Sequence, residues 1–329
     1  MNDPFPAREI LVTGTSTVPP EALDLLRDRG FRIRAVPREL DDEALHDALD
    51  GVHGYIIGGY EEPTAAHFEK ASVLEAVAWV GTDFRGYVPG WRRAFELGIA
   101  FVSTPGENAV SVAEFTISLL LRMARPLPVG DADPMPGTEL RDLTIGLIGA
   151  GRIGSHVARL ATLGLGMHAV YTAPRRNEAL EAALGITRLS LPELLDRSDV
   201  VSLHRPGPRL EEAPLLGRPE LERLRPGALL INTGHPDLVD PAALGWAVEQ
   251  RQVRAAFDGR SKLPGWEPLA LLDPDRCLVV QQMGFLTGAA GLRAGLGAAE
   301  GLCDVLSGMA SPRVSNPDFL ERRARAASA

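Results

Sequence analysis

Three glycines at a fixed spacing indicate a turn that could bind phosphate groups. The apolar run Leu143–Ile148 leads into Gly149, Gly151 and Gly154, and an amphipathic, helix-like segment follows. In a strand–turn–helix of this kind the first glycine allows the tight turn, the second lets the backbone approach a pyrophosphate, and the third allows close helix packing. Backbone N–H groups at the start of the helix would then bind the phosphates. The motif predicts a dinucleotide site.

The elements that position this turn are predicted to be parallel sheets with crossover helices, because short apolar runs alternate with helical patterns almost throughout the chain. The first array is expected to contain the strands Ile10–Thr13, Phe31–Val36, Gly54–Ile57, Ala76–Val80 and Ile99–Val102. The second array is expected to contain the strands Ile145–Ile148, His168–Thr172, Val200–His204, Ala228–Thr233, Ala255–Asp258 and Leu278–Gln281. Long helices are expected at Asn108–Arg125 and Ala289–Leu306, followed by a loosely held tail. The predicted fold class is α/β with two parallel-sheet domains.

Composition excludes several classes of function. Of 329 residues, 45% are hydrophobic and 23% are charged, which suits two globular domains. The net charge of −9 argues against a nucleic-acid partner, which needs a basic surface. With Cys277 and Cys303 as the only cysteines, we expect a reducing compartment and no disulfide framework. The start has no signal-peptide layout, and the longest membrane candidate, Phe115–Leu121, is too short to span a bilayer. We expect a cytoplasmic protein with a small-molecule substrate, no membrane partner and no metal.

Four further blocks accompany the glycine turn in a regular order. They are Thr104–Val110 with Ala113–Glu114, Ser198–His204, Arg225–Thr233, and Leu238–Asp240 with Ala243–Leu244. Together these blocks resemble the D-isomer-specific 2-hydroxyacid dehydrogenase family. The resemblance implies two Rossmann-like or flavodoxin-like domains with a cleft between them: a substrate domain of residues 1–107 and 290–329, and a dinucleotide-binding domain of residues 108–289. It also implies a homodimer formed through the cofactor domains.

The positions of the family's catalytic residues carry other side chains here. The resemblance implies an arginine that holds the substrate's carboxylate, a histidine that transfers the proton, and a glutamate that raises the pKa of that histidine. The matching positions hold His235, Gln282 and Leu263, respectively for arginine, histidine and glutamate. A mostly neutral imidazole is a weaker carboxylate anchor than a guanidinium, and an amide cannot shuttle a proton. We therefore expect that the usual mechanism is absent and that a simple 2-keto acid is disfavoured.

Three other side-chain roles could support a different reaction. His235 could donate a proton, or it could make only a structural hydrogen bond in a loop. Gln282 could donate a hydrogen bond to a carbonyl group. Tyr60 lies on a loop that faces substrate in the family, although a tyrosine at such a rim more commonly packs on the surface. These three residues are the candidate catalytic groups.

The residues after the second strand of the cofactor domain distinguish NAD from NADP. In NAD-preferring relatives an acidic residue ends this strand and binds the ribose hydroxyls. Here Thr172 takes that position, and Arg175 and Arg176 follow, which suits a 2′-phosphate unless the arginines only begin a surface helix. We expect NADP, with NAD as the alternative. The residues expected at the cofactor are Gly149, Gly151, Arg152, Ile153, Gly154, Thr172, Arg175, Arg176, His204, Thr233 and Asp258.

The sequence leaves three functions open. The first is an NADP-dependent oxidoreductase with a repurposed site that acts on a small carbonyl, alcohol or imine compound. The second is a catalytically silent nucleotide-binding sensor or partner-binding protein, because all three family side chains are replaced. The third is an ordinary 2-hydroxyacid dehydrogenase that uses substitute residues. The complete cofactor motif favours the first, since the cofactor carries the difficult chemistry.

Overall fold

The chain divides into two units, each built around one sheet. The computed structural model describes residues 8–15, 18–59, 61–82, 84–127, 136–207, 213–261 and 263–326. One unit comprises Met1–Asn108 and Thr287–Ala329, and the other comprises Ala109–Leu286. Each unit contains one parallel sheet, which confirms the predicted α/β class. Among the described residues, no helix has both the length and the apolarity needed to cross a membrane.

The first unit is built on a five-stranded parallel sheet with the order β2-β1-β3-β4-β5. Its strands are β1 Glu9–Val12, β2 Arg32–Ala35, β3 Gly54–Ile57, β4 Ala76–Trp79 and β5 Ala100–Ser103. Its first helices are α1 Pro20–Asp28, α2 Asp42–Ala48, α3 Ala65–Lys70 and α4 Trp91–Glu96. Strands β3 and β5 are buried along their whole length, as expected for strands of a parallel sheet that is covered by helices on both faces.

The second unit is built on a seven-stranded parallel sheet with the order β12-β11-β10-β9-β6-β7-β8. Its strands are β6 Thr144–Ile148, β7 His168–Thr172, β8 Thr187–Arg188, β9 Val200–Leu203, β10 Leu229–Asn232, β11 Arg254–Asp258 and β12 Cys277–Val280. Its helices are α5 Ala109–Ala124, α6 Arg152–Arg159, α7 Glu178–Leu184, α8 Leu191–Arg197, α9 Arg218–Glu222, α10 Pro241–Gln250 and α11 Glu267–Ala270. A π-helical turn, Leu160–Gly164, continues α6, and a 3₁₀ turn, Pro236–Leu238, follows β10.

The strand order of the second unit reverses between β6 and β9. The chain runs from β6 outwards through β7 to β8, and then crosses back to place β9 on the other side of β6. In doubly wound sheets a ligand binds at the carboxyl ends of the strands at such a switch point. The glycine turn after β6 and His204 after β9 flank this point. The topology therefore positions the predicted phosphate site where the fold class places its ligands.

The C-terminal segment returns to the first unit as α12 Gly288–Leu306 and α13 Phe319–Ala326. Small and apolar residues of α12, among them Ala298 and Leu302, share a buried core with β1 and β5. This helix agrees with the expected helix Ala289–Leu306.

The expectation of a loosely held tail was wrong for the described residues after Leu306. Asn316 is 2% exposed, and its Oδ1 accepts the Phe101 N–H at 2.8 Å. Its Nδ2 donates to the Ile99 carbonyl oxygen, also at 2.8 Å. Because this one amide satisfies two buried backbone groups, it fastens the tail to β5 despite the polar composition of the segment.

Candidate functional site

In the glycine turn between β6 and α6, two glycines pack closely against the backbone and one faces open space. Gly149 has a φ of +110°, and a Cβ there would lie 2.4 Å from the carbonyl oxygen of His204. A Cβ at Gly154 would lie 2.0 Å from the carbonyl oxygen of Gly149. At Gly151, in contrast, nothing lies within 4 Å of the position that a Cβ would take. Two glycines therefore allow close packing, while the third leaves space for a ligand.

The start of α6 has the donors that a pyrophosphate requires. Gly151 is the N-cap, and no side chain caps the helix among the described residues. The N–H groups of Arg152 and Ile153 have no acceptor within the helix, because the first turn of a helix cannot satisfy its own donors. The helix dipole adds partial positive charge at the same end. The residues present thus fit the phosphates of a dinucleotide.

A pocket of about 630 Å³ lies beside this turn. It is lined by the turn and by residues 173–179, which follow β7. The Gly149 N–H donates to the Thr172 carbonyl oxygen at 2.9 Å. Asn177 Nδ2 donates to the Ala150 carbonyl oxygen at 2.8 Å. These two hydrogen bonds hold the walls of the pocket together, so that the loop after β7 faces the same space as the glycine turn.

Arg175 and Arg176 both line the pocket, but they differ in their contacts. Glu181 accepts hydrogen bonds from Arg176 Nε at 2.9 Å and from Arg176 Nη2 at 2.6 Å. The Tyr171 hydroxyl donates to the same carboxylate at 2.7 Å. These donors hold the pKa of Glu181 below its usual value. Arg175 has no hydrogen bond or ion pair to any described residue, so its guanidinium is available to a ligand.

Arg188 is a contributor to this loop that the sequence analysis missed. Its Nε donates to the Ala173 carbonyl oxygen at 2.8 Å, and its Nη2 donates to that of Pro174 at 3.2 Å. It also lines a neighbouring hollow of about 490 Å³ together with Thr172. Arg188 belongs to the two-residue strand β8, which is too short for a hydrophobic period to reveal. The role of Asn177 was detectable, since an asparagine before a helical pattern is a typical N-cap.

His204 is a neutral residue of the switch point. Its Nε2 lies 2.9 Å from the Ser202 hydroxyl oxygen, and its Nδ1 is buried with no partner among the described residues. Burial lowers the pKa of His204 to about 3, because the charged form would lose its hydration. The ring packs near Gly154. His204 therefore supports the glycine turn without adding charge to it.

His235 lies in the turn after β10 with one ring nitrogen occupied. Its side chain is 38% exposed, and Nδ1 accepts the Asp237 N–H at 3.2 Å. Because Nδ1 is an acceptor in this contact, the neutral ring carries its proton on Nε2. The turn is fixed by Asn232, whose Nδ2 donates to the His235 carbonyl oxygen at 3.1 Å. The geometry gives His235 one available N–H donor.

The three positions that match the family's catalytic residues follow neighbouring strands. His235 follows β10, Leu263 follows β11 and Gln282 follows β12, and these strands are adjacent and parallel. Their carboxyl ends therefore lie at one edge of the sheet. Leu263 is half-buried and Gln282 is exposed. Tyr60, the remaining catalytic candidate, lies outside the described residues.

Thr233 and Asp258 are more deeply buried than most of the expected cofactor residues. The hydroxyls of Thr233 and Thr116 lie 2.7 Å apart, and Thr116 donates its own proton to Val112. Thr233 is therefore the donor in this pair. Asp258 accepts the backbone N–H groups of residues 283 and 284 at 2.7 and 2.9 Å, and burial raises its pKa. Both residues join segments of the second unit, and Asp258 retains lone pairs for a further donor.

Comparison with known proteins identifies the family. Residues 122–283 match the family model described as D-isomer specific 2-hydroxyacid dehydrogenase, NAD binding domain. The glyoxylate reductase of Aeropyrum pernix is 32% identical over 250 residues, which cover 70% of this chain and 73% of that protein. The D-3-phosphoglycerate dehydrogenase of Archaeoglobus fulgidus is 28% identical over 301 residues, which cover 88% of this chain and 56% of that protein.

A solved structure matches almost the whole chain. The TT0316 protein from Thermus thermophilus is 32% identical with a TM-score of 0.80, and the match covers 93% of this chain and 99% of that one. This chain spans about half the length of the D-3-phosphoglycerate dehydrogenases that it matches. The fold, the cofactor motif and these matches agree with the resemblance of the five sequence blocks. The chain belongs to the D-isomer-specific 2-hydroxyacid dehydrogenase family.

Proposed function

We propose that this protein is an NADP-dependent oxidoreductase that reduces or oxidises a small carbonyl, alcohol or imine compound rather than a simple 2-keto acid. The observation that carries the proposal is the unpaired guanidinium of Arg175, in the described part of the chain, at the pocket beside the glycine turn. An arginine can bind a phosphate through two parallel hydrogen bonds. Thr172 supports the same preference, because it offers no carboxylate that would repel a 2′-phosphate.

The distribution of charge around the turn also supports a phosphorylated dinucleotide. Arg152, Arg175 and Arg205 are all exposed, and none of the three has an ion pair within the part of the chain that the structure describes. The stem of Arg205 passes the glycine turn, with its Cγ 3.4 Å from the position of a Cβ on Gly149. Glu178 is the acidic residue of the pocket lining. Locally the cations outnumber it, although the chain as a whole has a net charge of −9.

The proposed substrate class rests on what replaces the family's arginine. His235 offers one N–H donor at Nε2, whereas a carboxylate and an adjacent carbonyl oxygen call for the two-pronged donor of a guanidinium. The bound nicotinamide would supply or accept the hydride. His235, in its protonated form, would deliver a proton from Nε2 to the oxygen or nitrogen of the reacting group. Gln282 would donate a hydrogen bond to the same group.

Two other functions remain alternatives to this proposal. A silent nucleotide-binding sensor is favoured by Leu263 and Gln282, since neither side chain can transfer a proton. An ordinary 2-hydroxyacid dehydrogenase with substitute residues is favoured by the similarity to a glyoxylate reductase. A substrate screen distinguishes the three. Nicotinamide absorbance would be followed with 2-keto acids, aldehydes, ketones and imines, in each direction of the reaction.

The screen has one outcome for each function. Turnover of carbonyl or imine compounds that lack an adjacent carboxylate supports the proposal, and His235→Asn should then reduce kcat more than it raises KM. Efficient turnover of pyruvate-like acids would contradict it in favour of the ordinary dehydrogenase. Binding of the cofactor with no turnover of any class would favour the sensor.

We also propose that the protein forms a homodimer through its second unit. Leu121 of α5 is 42% exposed, and Leu160 and Leu163 of the π-helical turn are 38% and 75% exposed. Buried residues of α5 and α6 share one core, so these leucines belong to adjacent elements. Burial against a second copy would remove their apolar surface from water.

A further inference from the structure

Arg188 donates two hydrogen bonds to the backbone just before Arg175. Its Nε donates to the Ala173 carbonyl oxygen at 2.8 Å, and its Nη2 donates to the Pro174 carbonyl oxygen at 3.2 Å. No other described group donates to either carbonyl. One guanidinium therefore holds two consecutive peptide units of the loop after β7, a paired contact that its planar arrangement of donors allows.

The sheet places Arg188 where it can make this contact. Strand β8 runs parallel to β7 with Arg188 opposite Tyr171, and the Leu189 N–H donates to the Tyr171 carbonyl oxygen at 2.8 Å. The carbonyls that the Arg188 side chain reaches belong to the second and third residues after Tyr171, so the side chain extends past the carboxyl end of β7. Strand β8 thus supplies a donor to the loop of the neighbouring strand.

The far end of the same loop is held independently. The Asn177 N–H donates to the Tyr171 hydroxyl oxygen at 2.8 Å, while Asn177 Nδ2 donates to the Ala150 carbonyl oxygen. Between these fixed ends, the ring of Pro174 restricts φ to about −65° at the residue before Arg175. The backbone at Arg175 is therefore defined from both sides, although its side chain has no partner among the described residues.

A defined backbone at Arg175 favours binding of a phosphate. A ligand that must first order a loop binds more weakly, because the lost conformational freedom offsets part of the interaction. With the loop already held, the ligand has only the Arg175 side chain to order. The two hydrogen bonds from Arg188 fix the part of the loop that leads directly into Arg175.

We propose that Arg188 is a positioning residue that sets dinucleotide specificity by holding the loop after β7 in the form that presents Arg175 to the 2′-phosphate of NADP. This inference rests on the proposed function, which assigns that phosphate to Arg175. The glycine turn is held to this part of the chain by Thr172 and Asn177, without Arg188. Loss of Arg188 should therefore weaken the binding of NADPH and leave that of NADH unchanged.

Titration of Arg188→Met with NADPH and with NADH, followed by nicotinamide fluorescence, tests this inference. Methionine keeps an unbranched apolar stem but offers no donor. The preference for NADPH, given by the Kd for NADH divided by the Kd for NADPH, should fall by about five- to tenfold. In an Arg175→Ala background the same replacement should change the preference by less than about twofold, since an effect transmitted through Arg175 is lost with its side chain.

Arg225→Met is the matched control. Arg225 is an exposed arginine of the same unit, and its Nε also donates to a backbone carbonyl, that of Asp196, at 3.3 Å. Its Nη1 pairs with Asp199, which directly precedes β9, so Arg225 lies at the amino ends of the parallel strands and away from the glycine turn. This variant should keep the wild-type preference within about twofold, because charge effects over such a separation are screened.

Each result of these titrations decides the matter. The inference is overturned if Arg188→Met keeps the wild-type preference, or if it weakens NADPH and NADH equally, which would indicate a purely structural role. An equal loss in the Arg175→Ala background would also overturn it, because Arg188 would then act on the ligand directly. Should Arg188→Met fail to fold, as judged by circular dichroism, Arg188→Thr replaces it with the same expected values, since strands favour threonine. A wild-type protein without preference would overturn the proposed cofactor as well, which distinguishes the two failures.

Discussion

Arg175 and Arg176 are adjacent in sequence, but we expect them to contribute unequally to NADP binding. Glu181 holds Arg176, whereas Arg175 has no partner among the described residues. Arg175→Ala should weaken NADPH binding by about 10- to 100-fold, because one or two charged hydrogen bonds are lost. Arg176→Ala should weaken NADPH binding by less than about threefold, because the Arg176 guanidinium is already held in an exposed ion pair with Glu181. Fluorescence titration measures both. A larger loss in Arg176→Ala would mean that Glu181 releases its arginine to the ligand.

His204 gives a pH dependence of stability with a definite sign. Burial lowers its pKa from an ordinary 6.5 to about 3, so between these values the unfolded chain binds a proton that the folded chain does not. Stability therefore falls as the pH is lowered from about 6.5. His204→Gln removes this contribution. Between pH 7 and pH 5 its free energy of unfolding should fall by about 1–2 kcal/mol less than that of the wild type. Urea unfolding at the two pH values measures the difference, and equal losses would contradict the account.

In the turn between β6 and α6, different glycines serve packing and ligand access. Gly154 packs closely against the backbone, whereas Gly151 faces open space. Gly154→Ala would place a Cβ 2.0 Å from the Gly149 carbonyl oxygen and should destabilise the protein by about 1–3 kcal/mol while weakening cofactor binding. Gly151→Ala projects into open space and should weaken cofactor binding with less than about 0.5 kcal/mol change in stability. Denaturant unfolding and NADPH titration of both variants provide the test. A loss of stability in Gly151→Ala equal to that in Gly154→Ala would contradict this division.

The elements that the sequence predicted well are those with a strong periodic signal. The strand Gly54–Ile57 and the strand His168–Thr172 have the bounds expected for them, because each is a short apolar run between turn residues. The strand β8 was missed, and so was Arg188 within it, since two exposed residues carry no hydrophobic pattern. The docked tail was missed because hydrogen bonds, among them those of the buried Asn316 amide, hold a segment whose polar composition gives no hydrophobic pattern.

The candidate site was predictable in part for the same physical reasons. The sequence predicts roles for the glycine turn, Thr172, Arg175 and His235, because their residue types and spacing carry the chemistry directly. It predicts no role for the partners Glu181 and Arg188, since their contacts depend on how separate loops fold together. In this site the groups that could touch a ligand are visible in the sequence, whereas the groups that orient them become visible only in the structure.

At the scale of the whole molecule, the proposed homodimer predicts an effect of one exposed leucine. Leu163 is 75% exposed on the π-helical turn, so its replacement should not disturb the fold of one chain. Leu163→Arg would bury an unpaired charge in the proposed interface and should shift a dimer towards monomer at micromolar concentration. Light scattering after size-exclusion chromatography measures the mass. A monomeric wild-type protein, or an unchanged dimer in the variant, would contradict the proposed interface.

We expect the cofactor domain of this chain to prefer NADP, and a comparison of the two dinucleotides tests that preference. The wild-type protein would be titrated with NADPH and with NADH under the same conditions, following nicotinamide fluorescence. We predict that NADPH binds at least about tenfold more tightly, as expected for one additional charge-assisted phosphate contact. Equal affinity for the two dinucleotides, or tighter binding of NADH, would contradict the claim.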